Sequence, residues 1–89
     1  MALHELASSF RFGLGVERDP IAARAYYETA ASLGDLDAME NAAWCLLHGF
    51  GGEKNKKGAA GFLRRREKEG KGTELGVGES WIWKKKYDP

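Results

Sequence analysis

The chain has 89 residues, of which 43% are hydrophobic and 30% charged, and a net charge of +1. That length allows one small domain, and that composition is too apolar for a disordered chain. A single cysteine, Cys45, excludes an internal disulfide and any metal site built on several thiolates, and the apolar runs are far too short to cross a membrane.

The charge is unevenly spread. Residues 1–52 hold three Lys or Arg against seven Asp or Glu, whereas residues 53–89 hold eleven against six. Such halves either steer partners and favour head-to-tail association, or reflect two differently solvated faces. The opening "MALHELASSF" lacks a basic segment followed by an apolar block, so a secretory signal is not expected. With the lone cysteine, this points to a reducing, cytoplasmic setting.

In chain order, Leu3, Leu6, Ala7 and Phe10 recur at helical spacing and predict a first helix. The following "GLGVERD" is spelled like a phosphate loop, but such a loop follows a strand and opens a helix. Here Gly13 and Gly15 follow a helix, so they turn the chain and hold no nucleotide. Asp19 then caps a second helix and Pro20 suits its first position. Ile21, Ala22, Ala25, Tyr26, Thr29 and Leu33 form its predicted apolar stripe, and Gly34 stops it. Asp35 or Asp37 caps a third helix with Met39, Ala42, Ala43, Leu46 and Phe50 inward. Gly49 and Gly51 end it. Asn55 caps a fourth helix that runs to about Gly70, with Ala59, Phe62 and Leu63 inward.

A shift of 36 residues lays the chain over itself without a gap. Ala2, Ala7, Gly13, Gly15, Glu17, Ala23 and Gly34 fall on Ala38, Ala43, Gly49, Gly51, Glu53, Ala59 and Gly70. The unit is helix, glycine turn, helix, glycine turn, with alanines where antiparallel helices approach closely. This predicts an all-α superhelical fold of two helical hairpins, residues 2–37 and 38–71 within a repeat region 1–72, followed by an aromatic and basic tail, 73–89.

Ala2, Leu6, Phe10, Gly13, Gly15, Val16, Asp19, Ala23, Tyr26, Tyr27, Ala30, Ala31 and Gly34 together resemble the Sel-like repeat, a relative of the tetratricopeptide repeat. The second copy resembles it through "NAAWCLLHGFGG" and then departs: Gly52 replaces the expected valine, Asn55 the aspartate, and Arg66-Glu67 the Ala-Ala pair. The ending "ESWIWKKKYDP" resembles the segment after the last repeat in some fungal proteins of this class, relatives of chitin-synthase activators and cell-integrity regulators. The resemblance implies a non-enzymatic adaptor that binds other proteins, here shaped like the end of a longer array. A terminal repeat needs a polar outer face, and Arg64, Arg65, Arg66, Glu67, Lys68 and Glu69 are expected to supply it.

Candidate partner contacts follow from the repeat. His4, Ser8 and Arg11 are the expected outward positions of the first helix, and Glu40, Trp44 and Leu47 are their counterparts on the third. In repeats of this kind such positions line the concave face. Trp44 and Leu47 would then be apolar on that surface, where they serve a partner, seat the tail or pack against the neighbouring helix. Trp81 and Trp83 are expected to fold back over the second repeat, with a docking peptide as the alternative. The exposed edge around Leu3, Leu6 and Phe10 could stack on another copy. Acidic residues interleave the basic runs and no reading motif is present, so nucleic-acid binding is not expected. Cys45 and His48 share a helix face, yet nothing in the sequence supplies an orienting group or an oxyanion site. No catalytic residue, cofactor or metal ligand is expected.

Overall fold

A computed structural model of the chain describes residues 2–70 and 81–89. The expected boundary between repeats and tail, at residues 72 and 73, lies outside the described residues. The described residues are helical, with no strand: α1 is Leu3–Phe12, α2 Pro20–Ser32, α3 Leu36–His48 and α4 Lys56–Glu69, followed by a short 3-10 turn at Lys85–Tyr87. Consecutive helices pack against each other, and the 3-10 turn packs on α4. This is the α/α repeat architecture expected from the spacing of the apolar residues.

The polar residues at the turns explain where each helix starts. The Asp19 carboxylate accepts from the Ala22 N–H, and Asn55, 36 residues later, accepts from the Gly58 N–H. Pro20 occupies the first position of α2. Asp35, and not Asp37, caps α3, accepting from the Ala38 N–H at 3.1 Å. The glycine loops repeat bond for bond. Leu14 N–H donates to the Ser9 carbonyl and Phe50 N–H to that of Cys45. Asp19 N–H donates to Phe10 and Asn55 N–H to Leu46, both at 2.8 Å.

Gly15 and Gly51 adopt the same left-handed backbone, at φ 73° and 74°, but in different surroundings. A Cβ on Gly51 would lie 2.2 Å from the Pro20 carbonyl oxygen, whereas one on Gly15 would meet nothing within 4 Å. The second loop is thus seated on the start of α2, and the first loop has no such neighbour. Phe12, Leu14 and Val16 beside it are exposed.

The buried residues form two clusters joined through α3. Ala7, Ala23, Tyr27, Ala30 and Ala31 meet Ala38, Met39, Ala42 and Cys45 in the first. Ala43, Leu46, Ala59, Ala60 and Leu63 meet Ile82 and Tyr87 in the second. Ala59 and Leu63 are the repeat counterparts of Ala23 and Tyr27, so Ile82 and Tyr87 complete around α4 a cluster that helices alone complete around α2. Arg64 fastens this segment, donating to the carbonyls of Ile82 and Lys84 and pairing with Asp88 at 2.9 Å.

Two expectations need correction. The inward stripe of α2 is Ala23, Tyr27, Ala30 and Ala31, while Ile21 and Leu33 are 72% and 75% exposed. Close helix contact selects the alanines, so α2 is rotated by about one position, roughly 100°, from the stripe drawn through its larger apolar residues. Nor is the arginine run of α4 a single solvated face. Arg64 holds the C-terminal segment, Arg65 donates to the Ala31 and Ser32 carbonyls at the end of α2, and Arg66 pairs with Glu40 of α3. Three successive helical residues sweep about 200° of circumference, so they cannot share one side.

Two stability measurements follow. Gly15→Ala is expected to cost about 1 kcal/mol, the penalty of a left-handed non-glycine residue, whereas Gly51→Ala adds a backbone clash and is expected to cost ~3 kcal/mol or more. Equal melting temperatures for the two variants would show that the second loop is not seated on Pro20. Ile82→Ala is expected to cost about 3 kcal/mol and lower the melting temperature by roughly 10 °C or more. An unshifted melt would mean that the C-terminal segment contributes nothing to the second cluster.

Candidate functional site

The helices α1 and α3 carry six of the eight residues singled out from the sequence. Five of them form four bridges between elements or repeats. His4 Nδ1 lies 2.7 Å from the Asp35 carboxylate, tying the start of α1 to the cap of α3. Desolvation acts to raise the Asp35 pKa. It is outweighed by hydrogen bonds from the Ala38 N–H and His4, by the His4 charge and by the Asp37 N–H, and the carboxyl is held below its ordinary value. Ser8 Oγ and Tyr27 Oη share a hydrogen bond of 2.7 Å between α1 and α2. Glu40, itself exposed, pairs with Arg66 at 3.5 Å.

The fourth bridge is an aromatic stack at the seam of the two repeats. The Arg11 guanidinium lies 4.0 Å from the centre of the Trp44 ring and 4.8 Å from that of Phe12. Trp44 also meets His48 at 5.1 Å and Phe50 at 5.3 Å, and Arg18 approaches Phe50 from the first loop at 5.7 Å. Trp44 is half-buried against the first cluster and Leu47 half-buried against the second. The sequence pattern picks out the positions of His4 and Ser8, but not that their polar atoms are already engaged by Asp35 and Tyr27.

Trp81 and Trp83 lie apart from this face, against α4. Trp81 is half-buried and meets Tyr87 edge-on at 5.6 Å, with the Lys56 ammonium 5.2 Å from its ring. Trp83 is 45% exposed and its indole N–H donates to Glu67 at 2.8 Å. Arg64 and Lys68 stand 5.1 and 5.8 Å from the Trp83 ring. Desolvation acts to raise the Tyr87 pKa, but Lys56 and Lys86 beside the hydroxyl outweigh it and lower it.

Between α4 and this C-terminal segment runs an open groove of about 680 Å³. Gly58 and Gly61 line it along the helix, Lys57, Arg64, Arg65, Lys68 and Glu69 surround them, and Trp83, Tyr87 and Pro89 form the other side. The signal for it in the sequence is the run Lys57, Gly61, Arg64 and Lys68, at spacings of four, three and four residues. In the sequence these cations read as a solvated polar face, and Gly61 carries no signal of its own.

Cys45 is fully buried, and burial pushes its thiol pKa up despite the opposing charges of Arg11 and Arg24. Among the described residues, no group of three or more His, Cys, Asp or Glu is arranged to hold a metal ion, and no helix is long and apolar enough to cross a membrane.

No curated protein and no solved structure matches the chain. A family model described as the Sel1 repeat matches twice, over residues 1–35 and 36–65. The C-terminal residues lie outside both matches, and neither match supports the expected resemblance to fungal proteins. The two matches span most of the chain and meet at the Asp35 cap, the first holding α1, α2 and their paired glycines and the second α3, its paired glycines and most of α4: the chain belongs to the Sel1 repeat family.

Proposed function

We propose that this protein is a non-enzymatic, cytoplasmic scaffold that binds a protein partner across the α1 and α3 face. Sel1 repeats are generally protein–protein interaction modules. The observation that carries the reading is the half-buried stack of Arg11 on Trp44 at the seam of the two repeats. Tryptophan, tyrosine and arginine are enriched among the energetic anchors of interfaces, tryptophan for its large rigid ring and arginine for its planar guanidinium, which stacks and pairs in a fixed geometry. His4, Ser8, Glu40 and Leu47 flank the stack, and the ties that hold the first two in place keep the surface pre-organised. A partner with an acidic and an aromatic group would meet both halves of the stack.

Capture from the source cell with the 89-residue chain as bait tests this. Arg11→Glu is expected to reduce recovery of the wild-type partner about fivefold or more, the effect of losing at least ~1 kcal/mol at an anchor. Equal recovery by a variant whose melt matches wild type would reject the face.

A second reading, an end-cap or self-associating unit, is favoured by the contrast between the two edges. Ile82 and Tyr87 complete the cluster around α4, while the Gly15 loop lacks the seat that Gly51 has on α2. A second copy or a further hairpin could cover Phe12, Leu14 and Val16. Sedimentation at rising concentration decides between them: a mass that grows with concentration supports self-association, and a strict monomer counts against it.

A further inference from the structure

We propose that the groove between α4 and the C-terminal segment binds a short, extended acidic peptide, with carboxylates at its ends and an apolar side chain between them. The proposal rests on the scaffold reading and assigns it a second surface with a defined ligand chemistry.

The cations define the ends. Arg64 is paired with Asp88 and Arg65 with Glu69, so their charge is met within the chain. Lys57 and Lys68 line the same groove, and among the described residues neither has a carboxylate within ion-pair distance. Eleven helical residues separate them, about 16 Å along the axis, which is the length of roughly five residues of extended chain. Two carboxylates four residues apart on such a peptide can reach both ammonium groups.

The floor suits a backbone and one apolar side chain. A Cβ on Gly61 would meet nothing within 4 Å, so the helix surface is bare at the middle of the groove. The exposed Trp83 ring stands opposite, held by its bond to Glu67 and flanked by Arg64 and Lys68. An aliphatic side chain laid on Gly61 would therefore contact an aromatic ring fixed in position. Glu69 lines the groove and Glu67 holds Trp83 at the same end, and both carboxylates oppose a nucleic-acid strand, which carries a negative charge on every unit. A peptide with two carboxylates meets them only at the Lys68 end, where an ammonium offsets them.

The test is fluorescence anisotropy with a labelled peptide GESLSEG, its neutral counterpart GQSLSQG and a labelled single-stranded oligonucleotide, each titrated with the full chain. GESLSEG is expected to bind with an affinity that falls as salt is added, and at least tenfold more tightly than GQSLSQG. The double variant Lys57→Glu, Lys68→Glu and the single variant Gly61→Leu are each expected to weaken it at least tenfold. The second variant fills open space on a helix surface, so its melt should stay at or above that of wild type. No binding of GESLSEG, equal binding of the two peptides, full affinity in both variants, or tighter binding of the oligonucleotide overturns the proposal. Arg11→Glu should leave peptide binding unchanged. Loss of the peptide with partner capture intact rejects the groove alone, while peptide binding without any captured partner rejects the α1 and α3 face alone.

Discussion

The close approach of neighbouring helices through alanine governs the rest of the fold. Most of the fully buried side chains on α2, α3 and α4 are alanines. They bury little surface one by one, so stability depends on backbones coming near enough for many small contacts to accumulate. That geometry fixes which way each helix is turned and forces sharp loops between helices. It leaves the larger side chains, Tyr27, Met39, Leu46 and Leu63, to fill what space remains.

Charge and hydrogen bonding then work at the margins of this packing. Arg65 reaches from the second repeat to the carbonyls that end α2, groups that a helix cannot satisfy internally. His4 reaches Asp35, which caps the next helix. Each contact lies on the border between repeats and adds a long-range bond where a local one already exists, since Gly34 N–H donates to the Ala31 carbonyl and Ala38 N–H to Asp35. The same borders hold the arginine stack on Trp44, so the surface offered to a partner is built from the groups that join the two units.

The features legible in the sequence are those set by local chemistry. The caps at Asp19 and Asn55, the proline at the head of α2 and the left-handed glycines were all readable because each is decided within a few residues. The repeat was legible because it preserves those signals at a constant spacing. The orientation of α2 was not, because Ile21 and Leu33 outweigh the alanines in any hydrophobic count, whereas the neighbouring helix selects for size. The three arginines of α4 resisted for a similar reason. Their partners, Ile82, Ala31 and Glu40, lie on three different elements, and no local pattern encodes which one each will meet. The groove shares this origin, since one wall is supplied by residues some twenty positions further along the chain than the other.

The bond from Arg65 to the end of α2 bears on how the molecule comes apart. An array whose units touch only through apolar faces can fray from one end, each unit leaving its neighbour intact. Here the loss of α4 would uncover two carbonyls on the preceding hairpin and separate Ala43 and Leu46 of α3 from their cover. What remained, α1 to α3, would present the apolar side of α3 to water, so the two units are expected to stand or fall as a single cooperative body.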